Sequence, residues 1–274
     1  KKYIVFEGVD SCLYLFVNDV FVGYSTVSHC QAEFDITKYL VYGEKNVIKV
    51  IVLKWCSGSY FEDQDKLRMS GIFRDVYILS RPVNHLRDYK ITTNADNGQG
   101  IVELRCDKPV KVCLYDGDVK LQEQEGEIIS FRVRNAKLWS SETPNLYKLV
   151  ISYGGEYFCE YTGIRRIEIR DGIFTLNGKP IKMKGVNRHS MTPEGYAESY
   201  EWMEKDVRMF KENNINAVRT SHYPPDPYFL QLCDHYGIYV IDEADLETHG
   251  LGTVHYNGND EHWNDLAENR EYLP

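Results

Sequence analysis

Short apolar segments interrupted by tight polar turns open the chain. Residues 3–9 and 13–17 are rich in β-branched and aromatic side chains, and Asn18-Asp19 reads as a two-residue hairpin loop before 20–24. Segments 47–55 and 75–79 continue the pattern, so residues 1–82 are predicted to form a jelly-roll-like antiparallel sandwich that begins mid-strand, without its true N-terminus. Pro82 marks a boundary. Segments 89–93, 101–105, 110–115, 128–133, 146–153 and 156–161 then read as strands of a second, immunoglobulin-like sandwich over 83–168. No reactive constellation falls within it, which assigns it a spacing role.

The period changes after Asp171-Gly172. A hairpin at 174–183, turning at Asn177-Gly178-Lys179, leads into a strand at 182–187. Met203, Val207 and Phe210 then recur at i, i+4, i+7 in a predicted helix over 200–213. A strand at 216–219 follows, then a helix carrying Phe229, Leu232, Cys233 and Tyr236 with Gly237 as its C-cap, and a strand at 238–241. Alternating strands and helices define a parallel βα sheet. A barrel of eight such units needs about 250 residues, so 169–274 reads as the start of a (β/α)8 TIM barrel, about three units long. Its open edge invites pairing with another chain, and self-association or local disorder is expected after residue 250.

Composition narrows the class. Hydrophobic residues make up 43 % and charged residues 27 %, the balance of a globular protein. No apolar run approaches the roughly 20 residues of a membrane span. The net charge of −9 is spread without basic blocks, which argues against a nucleic-acid partner. Seven scattered cysteines without a Cys-x-x-Cys pair read as buried reduced thiols of a cytoplasmic protein.

Barrel chemistry collects where strands end. The three strand ends carry Asn187-Arg188-His189, then Arg219-Thr220-Ser221-His222-Tyr223-Pro224, then Asp242-Glu243-Ala244-Asp245-Leu246-Glu247-Thr248-His249. Convergence of these groups on one mouth points to an active site. Glu247 and His249, at i and i+2 of an extended segment, point the same way and suit a zinc, manganese or iron ion, or equally a hydrogen-bonded structural pair. Asp242 and Glu243 are adjacent and should face opposite sides, so they cannot flank one bond together. Asp63-Gln64-Asp65 and the stretch 68–75 form a polar loop that on spacing alone reads as a solvated hairpin.

Four separated segments resemble, in order and spacing, the large bacterial β-galactosidases of glycoside hydrolase family 2. They are 58–65 with 68–76, then 185–189, then 216–219 with 221–224, and finally Asp242-Glu243-Ala244 with 247–250. The resemblance implies a retaining glycosidase acting on terminal β-D-galactosides such as lactose, with Mg2+ and Na+ as cofactors, and a homo-oligomer when intact. Asp65 corresponds to a carboxylate that touches galactose and Na+, and His189 and His222 to histidines that contact the sugar and stabilise the transition state. Arg219 corresponds to a substrate-side arginine near the nucleophile, and Glu247 and His249 to Mg2+ ligands. The family's acid/base and nucleophile glutamates are expected beyond Pro274, which predicts that these residues alone are inactive. Departures at Ser190-Met191-Thr192-Pro193 and at 251–255 bear on the leaving-group side. The alternatives are a β-glucuronidase or β-mannosidase of the same family, or a non-catalytic carbohydrate-binding or assembly module.

Overall fold

The structure, a computed structural model, describes residues 1–96 and 98–249. The loop expected after Gly250, and the self-association or disorder expected there, fall outside the described residues.

Eight short strands build the first sandwich: β1 (Lys2–Phe6), β2 (Val9–Asp10), β3 (Cys12–Val17), β4 (Val20–Ser25), β5 (Ala32–Asp35), β6 (Ile48–Leu53), β7 (Gly71–Ile72) and β8 (Val76–Ser80). One sheet runs β5-β1-β8 and the other β4-β3-β6, while β2 pairs with β7. Alternation along β3 explains the packing. Leu13, Leu15 and Val17 are buried against Ile4, Phe6 and Ile36, whereas Tyr14 and Phe16 face outward. The β3–β4 turn has Asn18 at φ 50° and Asp19 at φ 61°, the left-handed pair that a two-residue hairpin demands. β5 was not legible in the sequence, because Ala32-Glu33-Phe34-Asp35 is half charged and lies at a sheet edge.

The second sandwich comprises β9 (Tyr89–Asp96), β10 (Gln99–Asp116), β11 (Val119–Arg134), β12 (Tyr147–Tyr153) and β13 (Glu156–Thr162). Two strands expected at 101–105 and 110–115 are one 18-residue strand, β10. Its first half pairs with β9, its second half with β12, and the register shifts between Arg105 and Val110. Pro109 sits in that break, where a residue without an N–H costs no ladder bond. Likewise the strand expected at 128–133 is the end of the 16-residue β11. Val102, Leu104, Val112, Leu114, Phe131, Leu149 and Ile151 fill the core between the layers.

A three-stranded antiparallel platform, β14 (Ile167–Arg170), β15 (Ile173–Leu176) and β16 (Lys179–Pro180), precedes the parallel sheet. That sheet is β17 (Gly185–Arg188), β18 (Ala217–Thr220) and β19 (Tyr239–Ile241), joined by α1 (Tyr200–Glu212) and α2 (Pro227–Tyr236). β17 begins three residues later than the sequence pattern suggested. At its start the Asn216 side chain bonds Lys182 O and Lys184 N, taking the place of a backbone ladder. Met203, Val207 and Phe210 of α1 pack with Phe229, Leu232 and Cys233 of α2 over Val218, as their helical spacing predicts. Asp226 caps α2 by accepting from Tyr228 N at 2.8 Å, and Gly237 closes it at φ 73°.

The first sandwich is sewn onto the barrel segment by backbone hydrogen bonds. Glu247 N donates to Phe61 O at 2.7 Å and Asp63 N donates to Glu247 O at 2.9 Å, a parallel bridge between Glu62 and Glu247. Arg74 adds to the seam, reaching His29 O at 2.9 Å and Pro224 O at 2.8 Å.

Candidate active site at the barrel mouth

Parallel strands put their C-terminal ends on one side, and β17, β18 and β19 deliver their polar groups there together. The His189 and His222 rings meet edge to face with centroids 5.3 Å apart. Arg219 Nη2 donates to His222 Nδ1 at 3.2 Å, while Arg219 Nε is ion-paired with Glu243 Oε1. Glu243 Oε2 stands 3.4 Å from the same imidazole nitrogen. Thr220 Oγ1 donates to Asp242 Oδ1 at 3.1 Å and accepts from Glu243 N at 3.2 Å. Asp242 and Glu243 therefore diverge, one to Thr220 and one to Arg219. Burial lowers the His189 pKa, and the neighbouring His222 and Arg219 lower it further.

The first sandwich supplies the other wall. Asp65, Lys66 and Leu67 line a cavity of about 240 Å³ with His189, Met191, Tyr196 and Tyr223. Burial alternates along the loop that carries Asp65, with Glu62, Gln64 and the Lys66 side chain buried and Asp63 and Asp65 more exposed, and the chain bends at 65–66, where Lys66 N donates to Gln64 O at 2.8 Å. Inward, Gln64 Nε2 donates to Asp245 Oδ1 at 2.8 Å. His29, 2 % exposed, gives Asp245 its backbone N–H at 2.8 Å, with Nδ1 2.9 Å from Oδ1. Its ring stacks on Tyr223 at 4.0 Å. Burial pushes the His29 pKa down to about 4, so the ring is neutral, Nδ1–H faces Asp245, and Nε2 accepts from Tyr196. Burial alone would raise the Asp245 carboxyl, but hydrogen bonds from His29 and the charge of Lys66 reverse that and hold it low. Glu62 is pushed up to about 7 by burial and by Asp245, even though Ser28 donates to it from N and Oγ.

A larger groove of about 690 Å³ lies elsewhere, between the second sandwich and α2, lined by Thr93, Tyr161, Arg165, Arg166 and Asp234. No strand-end residue of the barrel lines it, so the smaller cavity is the candidate site.

Asp65, His189, His222 and Arg219, singled out from the sequence, thus share one mouth. Glu247 and His249 sit beside it, with Oε1 and Nδ1 3.8 Å apart. A carboxylate and an imidazole this close could both reach one divalent cation. Among the described residues no group of three or more His, Cys, Asp or Glu side chains is placed to hold a metal. His29, Glu62, Lys66 and Tyr196 were not foreseen as site residues, whereas Asp245 was among the strand-end carboxylates expected at the mouth. The i, i+2 alternation of 62–66 could have marked Glu62 and Lys66, but nothing local marks His29, whose partners are distant in sequence. All seven cysteines are unpaired, but only Cys12 and Cys233 are fully buried; Cys30 and Cys159 are exposed, which corrects the reading of uniformly buried thiols. No described helix is long and apolar enough to cross a membrane.

Comparison with known proteins defines the class. Residues 1–82 match the sugar binding domain of glycosyl hydrolases family 2, residues 84–165 match the glycosyl hydrolases family 2 domain, and residues 167–274 match its TIM barrel domain. The chain belongs to glycosyl hydrolases family 2. It is 45 % identical over 264 residues to a β-galactosidase of Actinobacillus pleuropneumoniae, covering 93 % of this chain and 26 % of that protein. It is 39 % identical to a β-galactosidase of Staphylococcus xylosus, covering 98 % of this chain and 28 % of the relative. The chain therefore spans little more than a quarter of the length of these relatives. Among solved structures it resembles a β-D-glucuronidase of Dictyoglomus thermophilum, with a TM-score of 0.81, 26 % identity, and coverage of 89 % of this chain and 48 % of that one. A Ruminococcus gnavus β-glucuronidase, at TM-score 0.82 and 24 % identity, shares the fold.

Proposed function

We propose that the intact protein is a retaining glycosidase that cleaves terminal β-D-galactosides such as lactose, and that residues 1–274 supply the sugar-holding side of its site. The observation that carries this reading is the shared cavity of Asp65, from the first sandwich, and His189, from the first barrel strand. The β-galactosidase relatives support galactose over glucuronic acid, because their identity far exceeds that of the glucuronidase neighbours.

Retaining hydrolysis uses one carboxyl to protonate the leaving oxygen and a second, about 5–5.5 Å away, to attack the anomeric carbon. Asp242 and Glu243 diverge and are already engaged, so we assign those two roles to glutamates outside this chain, and residues 1–274 alone should show no turnover. The groups present hold the glycone. Asp65 binds sugar hydroxyls from one wall and is the Na+ ligand of the reading. His189, held neutral, lines the opposite wall. With Nδ1 accepting from Arg219, His222 keeps its hydrogen on Nε2 and offers a donor. A fixed donor of this kind, aimed at the leaving oxygen, strengthens as negative charge grows there. Glu247 and His249 are the proposed Mg2+ ligands, the remaining ligands being waters and other carboxylates. When bound, the ion supplies positive charge that orders neighbouring carboxylates. Seven unpaired cysteines fit a reducing, cytoplasmic setting. Exposed Val20, Phe21 and Tyr24 on β4 fit a homo-oligomer.

The test is His189→Ala in the intact enzyme. Loss of one preorganised donor should lower kcat/KM on an aryl β-galactoside by roughly 100-fold or more. Activity within a factor of about two of the parent would remove His189 from the site.

A further inference from the structure

We propose that Lys66 is a positioning residue: its buried ammonium ties the sandwich loop to the first two barrel loops and so holds the adjacent Asp65 carboxylate at the sugar cavity. This rests on the sugar-site reading above and deepens it.

The Lys66 side chain is 2 % exposed. Its three hydrogens have three directions to go. Nζ donates to Tyr196 OH at 3.2 Å, lies 3.3 Å from His29 Nε2, and stands 3.7 Å from Asp10 Oδ2. It also sits over the Tyr223 and Tyr196 rings, at 5.0 and 5.5 Å from their centroids. Tyr196 follows β17 and Tyr223 follows β18, while Asp10 and His29 belong to the first sandwich. One cation therefore joins both bodies at the point where the chain presents Asp65.

Stability alone is a poor reason for this arrangement. Taking an ammonium out of water costs several kcal/mol, and an apolar side chain of similar volume often does as well in such a place. Burial does lower the Lys66 pKa, the sign of that cost. Asp10 Oδ2 has no hydrogen-bond partner, so Lys66 is held between an anion and two aromatic faces rather than by one tight ion pair. What the charge supplies is direction. Residues 65 and 66 share one bend, closed by Lys66 N donating to Gln64 O at 2.8 Å, so fixing Lys66 fixes where the adjacent Asp65 meets the cavity that both residues line.

The experiment is a double-mutant cycle in the intact enzyme, with Lys66→Met, Asp65→Asn and the pair, assayed for kcat and KM on an aryl β-galactoside. Lys66→Met should raise KM at least about tenfold with a smaller change in kcat, and should add nothing once Asp65 is Asn. Additive effects, or an unchanged KM in a folded variant, would overturn the proposal. Should Lys66→Met fail to fold, Asp10→Asn, which removes the counter-charge without touching the cavity, should give the same selective rise in KM; no rise would overturn it. A crystal structure of either folded variant supplies a readout apart from activity: a displaced Asp65 supports the proposal, and an unmoved one refutes it. If the parent enzyme proves inactive on β-galactosides, the sugar reading fails, and the position of Asp65 in that crystal structure still decides the tether.

Discussion

Arg188 shows how much of the barrel mouth rests on buried charges. Its guanidinium lies over the Phe229 ring at 4.1 Å, donates to Asp206 Oδ2 at 2.8 Å, and is ion-paired with Glu198. Burial raises Glu198 to about 6 in spite of that partner. Arg188→Ala would strand two carboxylates, so it should cost about 3–5 kcal/mol in urea unfolding; a loss below about 1 kcal/mol would show that the pair is dispensable. Glu62 and His29 predict opposite pH effects. Glu62 is raised from 4.5 to about 7, so its contribution is full below pH 4.5 and lost as pH rises through 7. His29 is lowered from 6.5 to about 4, so its contribution is full above pH 6.5 and lost as pH falls through 4. In the parent these slopes oppose each other between pH 4.5 and 6.5. Glu62→Gln removes one of them, on the order of 3 kcal/mol, and Tm should then climb with pH across that window more steeply than in the parent. Parallel Tm curves would contradict the assignment.

At the level of elements, the parallel βα units were readable because their signals are local. The Met203, Val207, Phe210 spacing and the Gly237 stop both lie within single helices. The long strands β10 and β11 were harder. Polar residues and Pro109 interrupt the apolar alternation of β10 at the point where it changes partners, and a sequence shows the interruption without the two sheets on either side. The site divides the same way. His189, Arg219 and His222 could be placed from strand ends, whereas the His29–Asp245 contact joins residues 216 positions apart. Gly237 carries an element-scale test. A Cβ there would approach Ser141 O to 2.5 Å, on a backbone already at φ 73°. Gly237→Ala should therefore cost more than about 1 kcal/mol by thermal or chemical unfolding, and a neutral result would mean that α2 ends differently.

On the scale of the whole molecule, three bodies share the work unequally. The second sandwich meets the barrel segment through Trp139, whose Nε1 donates to Asp234 O at 2.8 Å, and contributes no residue to the mouth. The first sandwich reaches over it, and its 61–66 loop becomes a wall of the cavity and a bridge partner of Glu247. The proposed sugar site, split between two domains, requires that their docking be rigid, and the buried charges at the seam answer that requirement. The most direct measurement compares the intact enzyme on matched aryl β-galactoside, β-glucuronide and β-mannoside, with Mg2+ and Na+ present. Preference for the galactoside by a factor of about 100 or more in kcat/KM is the expected result. Preference for the glucuronide or the mannoside, or no hydrolysis of any of the three, would contradict the account.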